Sequence, residues 1–126
     1  MKRVLLIVDD IPEVARALKR FLTKSFDLVL VAHSAEEAER LLGDPGNPPT
    51  HLVCDHFLGK GKRLGAELIP EWRLRYAHLL VAVLLTGSEM AKLMSVAGID
   101  KVFGKPLDPR ELSQFLIATS DAAAAR

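Results

Sequence analysis

Five side chains in this 126-residue chain suit one kind of chemistry, and each follows an apolar run. Asp9 and Asp10 follow "VLLIV", Asp55 closes "HLVCD", Thr86 follows "LLVAVLL", and Lys105 stands before Pro106 in "VFGKP". Taken singly, an aspartate, threonine or lysine after a strand is usually a cap or a solvated loop residue. Asp10 alone reads as the opening of a helix whose Pro12 suits a first turn. Two adjacent carboxylates, however, repel and raise each other's pKa unless positive charge lies between them. Three carboxylates in one place call for a divalent cation, and an all-oxygen set favours Mg²⁺, with Mn²⁺ and Ca²⁺ as alternatives. The lysine adds a point charge suited to a phosphoryl oxygen. No Walker-type glycine loop is present to cradle a nucleotide. The simplest chemistry is therefore transfer of a phosphoryl group onto one carboxylate, giving an aspartyl phosphate.

That chemistry requires elements that bring the five residues together. Short apolar runs at 4–8, 28–32, 52–54 and 79–85, with a weaker one at 101–103, read as strands. Helical patterns lie between them. Val14, Leu18, Phe21 and Leu22 share a face in 12–24. Ser34 and Glu37 make a capping box for 34–42, where Ala38, Leu41 and Leu42 form the stripe. In 64–75, Leu64, Leu68 and Trp72 share a face, and Pro70 is expected to kink or split the helix. A short helix is expected over 88–97, and a last one opens at Asp108-Pro109 with Glu111. Strand–helix alternation repeated five times predicts a single α/β domain with a doubly wound parallel sheet and helices on both faces. Ligands in such sheets bind at the carboxyl ends of the strands, where all five residues fall. "DPGNPP" at 44–49 is a breaker-rich loop, and residues 121–126, "DAAAAR", are expected to be a frayed tail after a domain of residues 1–120.

Composition adds exclusions. A net charge of +1 marks the whole chain neither for nucleic acid nor for anionic membranes. The single Cys54 forbids an internal disulfide and fits a reducing compartment, so a cytoplasmic location is expected. No apolar run approaches the roughly 18–20 residues of a membrane span. Lys2-Arg3 before "VLLIV" does not make a signal peptide, because the apolar region is too short and two acids follow.

In this order, Asp9-Asp10, Asp55, Thr86 and Lys105-Pro106 resemble a response-regulator receiver domain of two-component signalling, over residues 2–119. The resemblance implies a flavodoxin-like five-stranded sheet of order 2-1-3-4-5. It implies Asp55 as phosphoacceptor, Asp10 as a direct Mg²⁺ ligand, Asp9 acting mainly through water, and the backbone carbonyl of Phe57 completing the protein's ligands. Thr86 would hydrogen-bond the phosphoryl group, Lys105 would pair with it, and the Lys105–Pro106 peptide would be cis. A histidine kinase or histidine phosphotransfer protein would be the donor, and a downstream protein or output domain the target. No direct nucleic-acid or membrane contact is implied, and homodimerisation is left open. Such a domain promotes its own phosphorylation and dephosphorylation without being an ordinary enzyme.

The chain departs from that pattern in several places. Receivers usually carry a proline four residues after the acceptor; here Gly59 holds that place, and the glycine opening the next helix is delayed to Gly65. The loop is thus longer by about two residues and carries Lys60, Lys62 and Arg63, read either as a solvated loop or as a contact for an acidic partner. The stretch from Thr86 to Lys105 is short, so the fourth helix should lose most of a turn. Val102 stands where a switch aromatic is usual, with Phe103 on the opposite side of a regular strand. These departures support an alternative, a phosphorylation-independent interaction module on the same fold. A Mg²⁺-dependent phosphatase is disfavoured, because Phe57 stands where a second acid is needed. "DHFLG" is similar to a cobalamin-binding pattern, but His56 directly follows the aspartate and should point away from it. His33, His51, His56 and His78 share no metal-ligand spacing and read as structural or exposed, and Cys54 reads as a core residue.

Overall fold

Side-chain alternation assigns each apolar strand position to one of two cores. The computed structural model describes residues 2–124. Five strands, β1 (Val4–Val8), β2 (Leu28–Ala32), β3 (His51–Asp55), β4 (Val81–Gly87) and β5 (Lys101–Lys105), alternate with five helices. These are α1 (Pro12–Leu22), α2 (Ala35–Leu42), α3 (Gly65–Arg75), α4 (Ser88–Leu93) and α5 (Pro109–Ala124). All pairings are parallel and the order is β2-β1-β3-β4-β5, as the sequence led us to expect. Leu6, Val8, Leu52, Cys54, Ala82 and Leu84 face α2 and α3. Leu5, Ile7, Val53, Val81, Val83 and Leu85 face α1 and α5. Burial on both sides explains why these strands are apolar at successive positions, each large side chain contributing about 1.5–3 kcal/mol. Among the described residues, no helix is long and apolar enough to cross a membrane.

The helices are fixed by particular contacts. Ser34 Oγ accepts from Glu37 N–H at 3.1 Å and starts α2. Trp72, fully buried, donates its indole N–H to Glu39 Oε2 at 3.0 Å and ties α3 to α2. Arg73 pairs with Asp100 at 2.7 Å, and Asp100 Oδ2 also accepts from Ala82 N–H at 2.8 Å. That carboxylate holds the chain entering β5 against β4.

Several expectations require correction. Pro70 does not split α3, which runs unbroken across it. The proline forfeits one backbone donor, but Leu68, Ile69 and Trp72 are buried on the sheet and hold the helix in place. Leu64 is the residue before α3 rather than part of its stripe. Phe21 is 42% exposed rather than buried with Leu18 and Leu22, because it lies at the rim between α1 and the polar Arg110 and Ser113 of α5. The fourth helix stops at Leu93 rather than 97. Met94 is extended, and the left-handed Gly98 (φ +89°) turns the chain back across Pro70. The expected tail is helical as far as Ala124, in keeping with the high helix propensity of an alanine run. An ion pair between Arg3 and Asp121 anchors that extension, and residues 125–126 lie outside the described residues.

Candidate functional site at the carboxyl edge of the sheet

Register places the acids. Val8 pairs with Cys54, so the residues leaving β1 lie beside Asp55 at the end of β3. Asp55 pairs with Leu85, and Thr86 and Gly87 pair with Gly104 and Lys105. One ligand oxygen each from Asp9, Asp10 and Asp55 lies within 4.8 Å of the others. Lys105 Nζ stands 3.1 Å from Asp55 Oδ1. Asp10, Asp55, Phe57, Lys60, Thr86 and Lys105 share the walls of an open cleft of about 390 Å³.

Asp9 is held rigidly. Its amide donates to Ala32 carbonyl at 3.0 Å, and its Oδ1 accepts from Ile11 N–H at 2.9 Å. Its carbonyl accepts from Nδ1 of His33 at 3.0 Å, so the proton of that imidazole must sit on Nδ1. Asp9 Oδ2 is buried without a hydrogen-bond partner. Burial pushes the Asp9 carboxyl above the usual carboxylate range; the Ile11 amide opposes this, and the Asp55 charge adds to the rise. A cation would supply what this arrangement lacks. The all-oxygen donor set and the orphaned buried oxygen fit Mg²⁺.

Thr86 is buried, and its hydroxyl donates to Met90 Sδ at 3.7 Å. Phe57 is 53% exposed and packs edge-on against His56 with ring centroids 4.8 Å apart. His56 is buried; its Nδ1 accepts from Ala66 N–H at 3.3 Å, which turns it towards the start of α3 and away from the cleft. The Lys105–Pro106 peptide is cis. All the expected site residues thus meet at one edge.

The departures also have physical explanations. Gly59 has φ +123°, which proline cannot adopt. A Cβ on Gly65 would lie 2.6 Å from the Asp55 carbonyl oxygen and 2.8 Å from Leu84 Cδ1, so only glycine lets α3 begin against β3. Val102 joins the α2–α3 core, whereas Phe103 faces α5 and meets Phe115 edge-on at 5.9 Å. Cys54 is a buried thiol whose pKa is raised, first by burial and then by Asp55 and Asp9. Among the described residues, no cluster suited to a metal contains a histidine. Sequence reasoning missed two residues. Lys60 reads from the sequence as solvated loop charge or a contact for an acidic partner, not as a wall of the cleft, although the glycines on both sides of it are the available signal. Met90 left no signal, because its role depends on how α4 packs.

No protein-family model matches the chain. It is 34% identical over 111 residues to the transcriptional regulatory protein CpxR of Klebsiella pneumoniae, covering 86% of this chain and 45% of that one. It is 32% identical over 110 residues to the transcriptional regulatory protein AruR of Pseudomonas aeruginosa, covering 85% and 45%. The chain thus spans less than half the length of these curated relatives. Among solved structures, it is similar to a CheY-like response regulator receiver domain protein from Methanospirillum hungatei (TM-score 0.81, 21% identity, 99% and 98% of the two chains). It is also similar to a response regulator receiver domain protein from Clostridium thermocellum (TM-score 0.77, 24% identity, 98% and 95%). These likenesses in fold join the sequence likeness to two regulators, and the chain belongs to the receiver domains of response regulators.

Proposed function

We propose that the chain takes a phosphoryl group onto Asp55 from the phosphohistidine of a kinase or phosphotransfer protein. The donor's phosphorus–nitrogen bond breaks, its electron pair stays on the imidazole nitrogen, and a phosphorus–oxygen bond forms at the carboxylate. The observation that carries this reading is the convergence of three carboxylates within 4.8 Å, with Lys105 Nζ 3.1 Å from Asp55. Asp9, Asp10, Asp55 and the Phe57 carbonyl would hold Mg²⁺, which when bound neutralises charge on the phosphoryl oxygens. Lys105 exchanges its pairing with the carboxylate for one with the phosphoryl group. The Thr86 hydroxyl leaves Met90 to donate to a phosphoryl oxygen. Asp55 is both reactant and part of the catalyst, so the chain is not an ordinary turnover enzyme.

Phosphorylation replaces the Asp55 carboxylate with an acyl phosphate carrying about −1.5 to −2 charges, a net gain of about one negative charge, and biases the surface around β4 and β5 towards a downstream partner. Beryllofluoride, a mimic of the phosphoryl group, tests the reading. Saturable, Mg²⁺-dependent binding that moves the amide resonances of Asp55 and Thr86 is expected. No binding at millimolar beryllofluoride and Mg²⁺ would overturn it.

A further inference from the structure

The loop from His56 to Leu64 is a built structure rather than a slack connection. Lys62 N–H donates to the Gly59 carbonyl at 3.2 Å, closing a four-residue turn with Lys60 and Gly61 at its centre. Gly59 (φ +123°) and Gly61 (φ +75°) supply backbone angles that side-chain-bearing residues rarely adopt. At the base of the loop, Gly65 N–H donates to the His56 carbonyl at 2.8 Å. Near its exit, Arg63 pairs with Glu71 of α3 at 2.6 Å. The loop's cations are thereby sorted. Arg63 is committed to α3, and Lys62 lines a separate groove with His33 and Ser34. Of the three cations only Lys60 lines the acceptor cleft, and it makes no ion pair among the described residues.

We propose that Lys60 is a second phosphoryl-binding cation of the cleft, presented by the Gly59–Lys62 turn, which captures the incoming phosphoryl group of an anionic donor. This rests on the phosphoacceptor reading above. Lys105 is already engaged by Asp55, and three carboxylates confront an approaching phosphate. An uncommitted ammonium on a separate wall offsets that repulsion for the donor. The same charge opposes a metal cation, so its removal has effects of opposite sign on the two ligands. A merely structural role would not produce that signature.

The test compares wild type with Lys60→Gln, Lys60→Arg and Gly61→Ala. It measures the rate of phosphate uptake from acetyl phosphate at saturating Mg²⁺ and, separately, Mg²⁺ affinity without donor. Lys60→Gln should slow uptake about three- to tenfold at low salt, with the difference narrowing as salt shortens the Debye length to about 3 Å at 1 M. It should also bind Mg²⁺ about twofold more tightly. Lys60→Arg should stay near wild type. Gly61→Ala meets no atom within 4 Å, but it strains the turn, and it should reproduce both changes with the charge retained. Equal uptake by wild type and Lys60→Gln would overturn the role of Lys60 while leaving Asp55 as acceptor. A Gly61→Ala variant matching wild type would overturn the presentation by the turn. Absence of uptake by wild type itself would overturn both this inference and the reading beneath it.

Discussion

The two halves of the cleft are built to different standards. On the acceptor side, β1 and β3 are central strands buried on both faces, and the Asp9 backbone and one carboxylate oxygen are tied down. On the opposite side, β5 is a half-exposed edge strand, and the six-residue α4 contains no buried side chain. Leu93 on α4 is 87% exposed and Met90 is 41% exposed. Thr86 joins the halves: it is buried on β4, yet its hydroxyl reaches Met90 on α4. The three carboxylates that would hold a metal lie on or just after strands of the well-packed half, whereas Lys105, their cationic neighbour, closes the edge strand β5. On the proposed function, the surface that responds around β4 and β5 is the one with the least packing to lose.

Two glycines test this contrast with the largest expected effect. A Cβ on Gly65 would strike the Asp55 carbonyl at 2.6 Å, and one on Gly104 would strike Ser88 Cα at 2.8 Å. The clashes are similar, but β3 cannot yield and α4 can. Gly65→Ala should lose about 3 kcal/mol or more, and Gly104→Ala about 1 kcal/mol or less. Urea denaturation of the two variants checks this, and equal losses would break the contrast.

The other end of β3 holds a buried base. His51 is fully buried, with Nδ1 2.7 Å from Thr50 Oγ1 and its ring edge-on to Phe26 at 4.9 Å. Burial, with the Arg3 charge adding to it, lowers its pKa from 6.5 to about 4. The unfolded chain therefore binds the proton more tightly than the folded one between those values. Stability should be full above pH 6.5 and should fall as pH drops towards 4, by roughly 3 kcal/mol from this residue. His51→Phe should flatten that part of the stability–pH curve, and an unchanged slope would contradict the assignment.

Next in size is the lifetime of the phosphorylated state. Phe57 lines the cleft, and its phenyl ring carries no group that can orient a water by hydrogen bonding. Decay of the phosphorylated chain should be slow, and Phe57→Asn should speed it several-fold, by about 1 kcal/mol of barrier. A variant that decays no faster would show that the lack of a hydrogen-bonding side chain at position 57 does not set the lifetime.

The smallest effect concerns the switch. Val102 is packed in the α2–α3 core, Phe103 is held on the other face by Phe115, and the strand partner of Thr86 is Gly104. No aromatic side chain of β5 therefore stands ready to follow the threonine. Beryllofluoride should produce large amide shifts at Thr86 and Met90 but small ones over 99–103. Large shifts throughout 86–105 would contradict this.

The sequence revealed much of this architecture, and the failures share a cause. The buried strands and the residues at their ends were legible because burial on both faces leaves uninterrupted apolar runs. β5 extends to Lys105 beyond its visible run because β4 supplies hydrogen-bond partners that Gly104 and Lys105 do not advertise. Phe21 is apolar at helical spacing, yet it lies at the rim of the α1–α5 contact, which only tertiary packing defines. Pro70 carries a local penalty that core burial of its neighbours outweighs. Lys60 reads as loop charge or an acidic-partner contact rather than a cleft residue, because its placement depends on the backbone angles of Gly59 and Gly61 and not on its own side chain.

Phosphate labelling tests the central claim most directly. Wild-type chain and Asp55→Asn would be incubated with acetyl phosphate and Mg²⁺, and the intact mass and labelled residue determined. The substitution removes the nucleophile with little change in packing, so both proteins should unfold at similar temperatures. Wild type should gain one phosphoryl group on Asp55 and the variant none. Equal labelling of the two, or labelling of another residue in wild type, would contradict the account.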